Sequence, residues 1–129
     1  MPLTVTPIYA ALLVALFIYL SFSVIKVRRG EKISLGDGDS KALQARTRAH
    51  GNFAEFVPFA LVLMLMAELQ GANPFLLHAL GLALMIGRIA HAWGLTREPM
   101  DFRGRIAGMV LTFSVLGIGA LTCLVLALV

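Results

Sequence analysis

Long apolar blocks, separated by short polar connections, set the pattern of the chain. The first block runs from about residue 5 to 27, interrupted only by small polar groups such as Ser21 and Ser23. Pro7 falls near its start, where a helix tolerates proline. Residues 30–41 combine Gly30 with Gly36-Asp37-Gly38-Asp39-Ser40, which is turn chemistry, and Asp39 or Ser40 is placed to cap a helix beginning near Lys41. Asp37-Gly38-Asp39 has the opening spacing of a calcium loop without its remaining ligands, so it reads as a solvated turn. The second helix spans about 41–69, polar in its first half and apolar in its second, with Pro58 predicting a kink. After a polar turn at 68–74, a third helix spans about 74–94, apolar first and then carrying Arg88 and His91. Residues 96–105 form a second charged connection, and a fourth helix runs over about 102–129. Its Gly104 and Gly108, with Gly117 and Gly119 further on, predict close helix packing. Each block is long enough to span a bilayer, which takes roughly 20 residues.

Composition agrees: 59% of the 129 residues are hydrophobic and 14% charged. That excludes an ordinary soluble domain and predicts an all-α integral membrane protein, a single domain over 1–129 built as a four-transmembrane-helix bundle. So small a bundle leaves much of its surface facing lipid, and self-association is expected. The first block lacks a basic flank on its N-terminal side and exceeds a signal-peptide core, so it reads as a retained helix. The one cysteine, Cys123, lies inside the last apolar block and reads as a small packing residue.

Charge sets the orientation. The net charge is +4, and all eleven Lys and Arg residues lie at 26–48 or 88–105. Basic residues flanking spans touch lipid headgroups and fix topology; no nucleic-acid partner is implied. Both charged connections are therefore expected on the cytoplasmic side and both termini on the other. Arg46 and Arg97 read as anchors for helix ends. His50 turns away from the Arg48 face and reads as structural, and His78 lies on the opposite side with no role.

The cytoplasmic half then gathers candidate chemistry. Arg48, Asn52 and Glu55 are spaced by four and three residues, one helical face. A carboxylate and an amide at that depth call for a protein, water or ligand partner. Arg88 and His91 share a face of the third helix, and Arg103 and Arg105 begin the fourth. Arginine forks, a carboxylate and an amide suit a ligand with carboxylates, an amine and peptide groups, and a cationic pocket favours a thiolate. For Arg88, mutual neutralisation with Glu55 is an equal alternative.

The run Arg48-Ala49-His50-Gly51-Asn52-Phe53-Ala54-Glu55-Phe56-Val57-Pro58 resembles the second-helix signature of the MAPEG family, the membrane-associated proteins of eicosanoid and glutathione metabolism. The resemblance covers nearly the whole chain and points to a bacterial member similar to microsomal glutathione S-transferase. It implies a homotrimer in the bacterial inner membrane, with glutathione bound as co-substrate between subunits near the cytoplasmic face. By the same resemblance Arg48, Asn52, Glu55, Arg88 and His91 would hold glutathione. Arg103, or as second choice Arg105, would stabilise its thiolate for transfer to, or reduction of, a lipophilic substrate arriving through the bilayer. Where family enzymes often carry tyrosines, this chain has Phe56 and Leu95. The alternatives are a non-catalytic protein of the same fold binding glutathione or an anionic lipid or metabolite, and a small transporter using Glu55 as a proton site.

Overall fold

The computed structural model describes residues 2–129. Four helices follow one another: α1 (Thr6–Glu31), α2 (Lys41–Leu69), α3 (Pro74–Thr96) and α4 (Phe102–Leu128). All four are long and apolar enough to cross a membrane. Short connections force each helix to run antiparallel to the one before. The residue 32–40 loop and the 97–101 connection thus meet at one end, where Arg46 of α2, Ser23 of α1 and Thr96 of α3 line a common cleft.

Start signals act largely as their chemistry dictates. Ser40 caps α2, its hydroxyl accepting from the Leu43 N–H. Asn73 and Asp101 cap α3 and α4 through the N–H groups of Phe75 and Arg103. The stop signals depart from the sequence pattern. Helix α1 runs past residue 27 and through Gly30 to Glu31, ending where Lys32 turns left-handed (φ 57) and the Ile33 N–H bonds back to the Arg28 carbonyl. Arg28 and Arg29 in that last turn complement the negative end of the helix dipole. Helix α3 likewise continues past residue 94 to Thr96. Gly94 does not terminate it: an added Cβ there would lie 2.6 Å from the Arg105 nitrogen and the Asp101 carbonyl, so this glycine admits the α4 backbone. Helix α2 runs unbroken through the exposed Pro58.

Helices α3 and α4 pack closest. A Cβ on Gly108 would strike the Gly87 carbonyl and sit 2.6 Å from the His91 nitrogen, and one on Gly104 would stand 3.0 Å from the Ala90 carbonyl. Gly108 and Gly104 therefore serve the close approach that their spacing predicts. Gly119 meets Leu63 of α2, whereas Gly117 faces open space and packs against nothing. The shared core includes Tyr9, Leu13 and Leu20 of α1, Phe53, Ala60 and Met64 of α2, Leu77 and Leu84 of α3, and Val115 of α4. Cys123 is half-buried and points its thiol at the Leu63 carbonyl, as a packing residue would.

At the other end, Glu68 closes the bundle. Only 6% exposed, its carboxylate accepts from the N–H groups of Thr4 (2.6 Å), Val5 (2.8 Å) and Thr6 (2.7 Å). Helix α1 has no acidic residue in its first turn and no side-chain cap of its own, so Glu68 supplies the charge its N-terminus lacks. The sequence pattern marks Glu68 only as part of a polar turn.

Candidate functional site

The candidate site is built around a buried guanidinium. Arg88 is 1% exposed. Its Nη2 donates to Asn52 Oδ1 at 2.6 Å, and its Nη1 to Thr112 Oγ1 at 3.2 Å and towards the Met109 sulfur at 3.8 Å. The Thr112 hydroxyl in turn donates a hydrogen bond to the Gly108 carbonyl. Nη2 also lies 3.4 Å from His91 Nδ1; with the guanidinium as donor, Nδ1 accepts and a neutral ring keeps its proton on Nε2. The ring of Phe53 lies under the guanidinium, its centroid 5.9 Å away. One arginine thus ties α2, α3 and α4 together, while its Nε has no partner among the described residues.

Helix geometry separates what the linear spacing groups together. At about 100° per residue, Arg48 and Glu55 point within roughly 20° of each other, while Asn52 is rotated about 40–60° from both. Accordingly Arg48 Nη2 and Glu55 Oε1 pair at 3.1 Å on the outer surface with both side chains about half exposed, and Asn52 turns inward to Arg88. Arg88 and Glu55 make no contact ion pair: Glu55 faces out and pairs with Arg48. The direct contacts to the Arg88 charge are dipoles and a ring, and the Glu55 carboxylate favours that charge only from a distance.

The two arginines of α4 differ. Arg103 is 95% exposed and lies 3.6 Å from Asp101. Arg105 is half-buried, its Nη1 3.5 Å from the Met100 sulfur. Arg105 also precedes Met109 and Thr112 by one and two turns, on the α4 face that meets Arg88, while Arg103 falls off that face. Phe56 packs edge-on against Phe113, ring centres 5.4 Å apart, and Leu95 is buried.

The histidines outside this cluster have structural partners. His50 stacks against Phe17 and bonds Ser21 through Nε2 at 3.0 Å; because Ser21 donates to the Phe17 carbonyl, it accepts here. His78 bonds the Tyr9 hydroxyl at 3.0 Å through Nδ1. Arg97 stacks on Trp93. Sequence reasoning misses Thr112, Met109 and Phe53 as members of the Arg88 cluster. The legible signal for Thr112 is a hydroxyl one turn beyond Gly108 inside an apolar helix.

Among known proteins, the chain is similar to the inner membrane protein YecN of Escherichia coli, strain K12. The two are 38% identical over 112 residues, which is 87% of this chain and 84% of YecN. YecN from a second strain of that species matches equally. The sequence pattern of the MAPEG family matches residues 6–125, from the start of α1 into the last turn of α4. With four membrane-length helices and this match over nearly its full length, the chain belongs to the MAPEG family.

Proposed function

We propose that the protein is a glutathione-dependent transferase or peroxidase of the bacterial inner membrane, acting as a homotrimer on lipophilic electrophiles. The observation that carries this reading is the polar surface beside Arg88. Arg48 and Glu55 stand half exposed, 3.1 Å apart, directly outside the buried Asn52–Arg88 bond. A ligand bearing an ammonium and carboxylates can exchange that surface pair for its own charges, Glu55 taking the ammonium and Arg48 a carboxylate. The half-buried Arg105, or Arg103 from the helix start, would stabilise the thiolate. That thiolate attacks the electrophilic carbon, forming a C–S bond as the leaving group departs with its electron pair. His91, buried beside Arg88, would hold that guanidinium in place behind the polar surface. The polar surface lies at the basic end, which the positive-inside rule assigns to the cytoplasm.

The test is glutathione binding by the detergent-solubilised chain, followed by conjugation to an aromatic halide. Binding that weakens at least tenfold in Arg48→Ala and Glu55→Ala supports the site, and no binding by the unaltered protein overturns it. A second reading, binding without turnover, is favoured by one specific feature. Phe56 and Leu95 are apolar and packed, and offer no hydroxyl to a thiol. Glutathione bound without the ultraviolet absorbance of a thiolate, and without conjugate formed, would select it. A proton-transport role for Glu55 has less support, since Glu55 lies on the outer surface beside Arg48.

A further inference from the structure

A second polar cleft opens at the same end of the bundle between α1, α2 and α3, lined by different residues from the Arg88 cluster. Its outer part, about 420 Å³, is bordered by Tyr19, Ser23, Lys26, Glu31 and Arg46. An inner part of about 260 Å³ shares Tyr19, Ser23 and Arg46 and continues between Leu16, Leu20, Ile89 and Trp93. A cationic mouth thus leads to an apolar floor running along the helices. We propose that this cleft is a binding site for one anionic phospholipid, its phosphate held by Lys26 and Arg46 and its first acyl segment lying against Leu20, Ile89 and Trp93.

Three observations carry the assignment. Among the described residues, neither Lys26 nor Arg46 is engaged in an ion pair. The one carboxylate at the mouth, Glu31, accepts a hydrogen bond from Ser40 of the adjoining loop, and with two cations against it the mouth stays net positive. Arg46 makes only a long contact, 3.4 Å, to the Ala42 carbonyl, so its fork remains available to a phosphate.

Depth points to the same ligand. Lys26 stands seven residues beyond Tyr19 on α1, roughly 10 Å nearer the basic end, and Trp93 lies three residues before the end of α3, where amphipathic rings sit just inside the headgroups. A phosphate at the mouth would therefore lie among headgroups and the apolar floor among acyl chains. Basic pockets between membrane helices bind anionic headgroups by this combination. A free anion would leave the apolar floor unused, and a zwitterionic lipid would bring an ammonium of its own against the two cations at the mouth.

The test is native mass spectrometry of the full chain, purified in mild detergent and offered phosphatidylglycerol or phosphatidylcholine. The expected result is one phosphatidylglycerol retained per chain, preferred over phosphatidylcholine and not displaced by inorganic phosphate. Retention should fall at least fivefold in the double variant Lys26→Gln/Arg46→Gln. It should fall equally in Ser23→Phe, which fills the junction of the two parts and leaves the charges intact. Arg29→Gln removes a nearby charge outside the cleft and should retain lipid as the unaltered chain does. Equal loss in Arg29→Gln would reduce the effect to bulk charge and overturn the site. Displacement by phosphate alone would also overturn it. So would a Ser23→Phe variant that keeps its lipid but changes oligomeric state, since a second copy would then cover the cleft. Thermal unfolding and glutathione binding of each variant report whether the bundle is intact.

Discussion

Arg88 reaches across from α3 and fixes Asn52 on α2, Nη2 to Oδ1 at 2.6 Å. The bond determines more than packing. With Oδ1 turned inward as acceptor, the Asn52 amide nitrogen is left as the free donor, so Asn52 can offer N–H groups to an acceptor on a ligand. Replacing Asn52 by Leu removes an acceptor from a buried charge and should cost about 1.5–3 kcal/mol, the usual range for hydrogen bonds to charged groups. Thermal unfolding in detergent measures this; a midpoint unchanged in Asn52→Leu would contradict the account.

Glu68 predicts a separate effect at the far end. Glu68→Ala leaves the N–H groups of Thr4, Val5 and Thr6 without their shared acceptor. Loss of roughly 1–3 kcal/mol is expected, confined at first to the start of α1. Hydrogen exchange should quicken at residues 4–6 before it does in α3. Glu68→Gln, keeping one acceptor and losing the charge, should fall between.

The glycines of α4 form an internal control. Gly108→Ala forces a methyl group into the α3 backbone at Gly87 and His91, and should destabilise by roughly 1–3 kcal/mol or more while disturbing His91. Gly117→Ala meets nothing and should be neutral or stabilise by about 0.5–1 kcal/mol through improved helix propensity. Equal effects of the two, read from unfolding midpoints, would mean that α3 and α4 do not approach as closely as described.

If the proposed chemistry operates, Arg105 and Arg103 separate kinetically. Arg105, half-buried on the face that meets Arg88, should lower kcat by about 10²-fold when replaced by alanine, as removal of one electrostatic stabiliser commonly does. Arg103→Ala, at a side chain 95% exposed, should stay within about threefold. The reverse ranking would assign the thiolate to Arg103 instead.

Much of this was legible in the sequence. Block length and apolarity determine four membrane-length helices, because a bilayer admits little else, and Ser40 marks a helix start through a side chain that acts locally. The run from Arg48 to Pro58 pointed to the family whose pattern matches residues 6–125. Partners were not legible, because a linear spacing states which residues share a helical face and not what stands opposite. Arg48, Asn52 and Glu55 look like one stripe, yet a rotation of about 40–60° divides them into a surface pair and an inward amide. Gly94 resembles a helix stop until the α4 backbone is seen against it. Glu68 resembles a turn residue until the first residues of the chain, some sixty positions away, supply its three donors. In each case the deciding atom belongs to another helix or a distant segment, and only tertiary packing brings it within hydrogen-bond or van der Waals range.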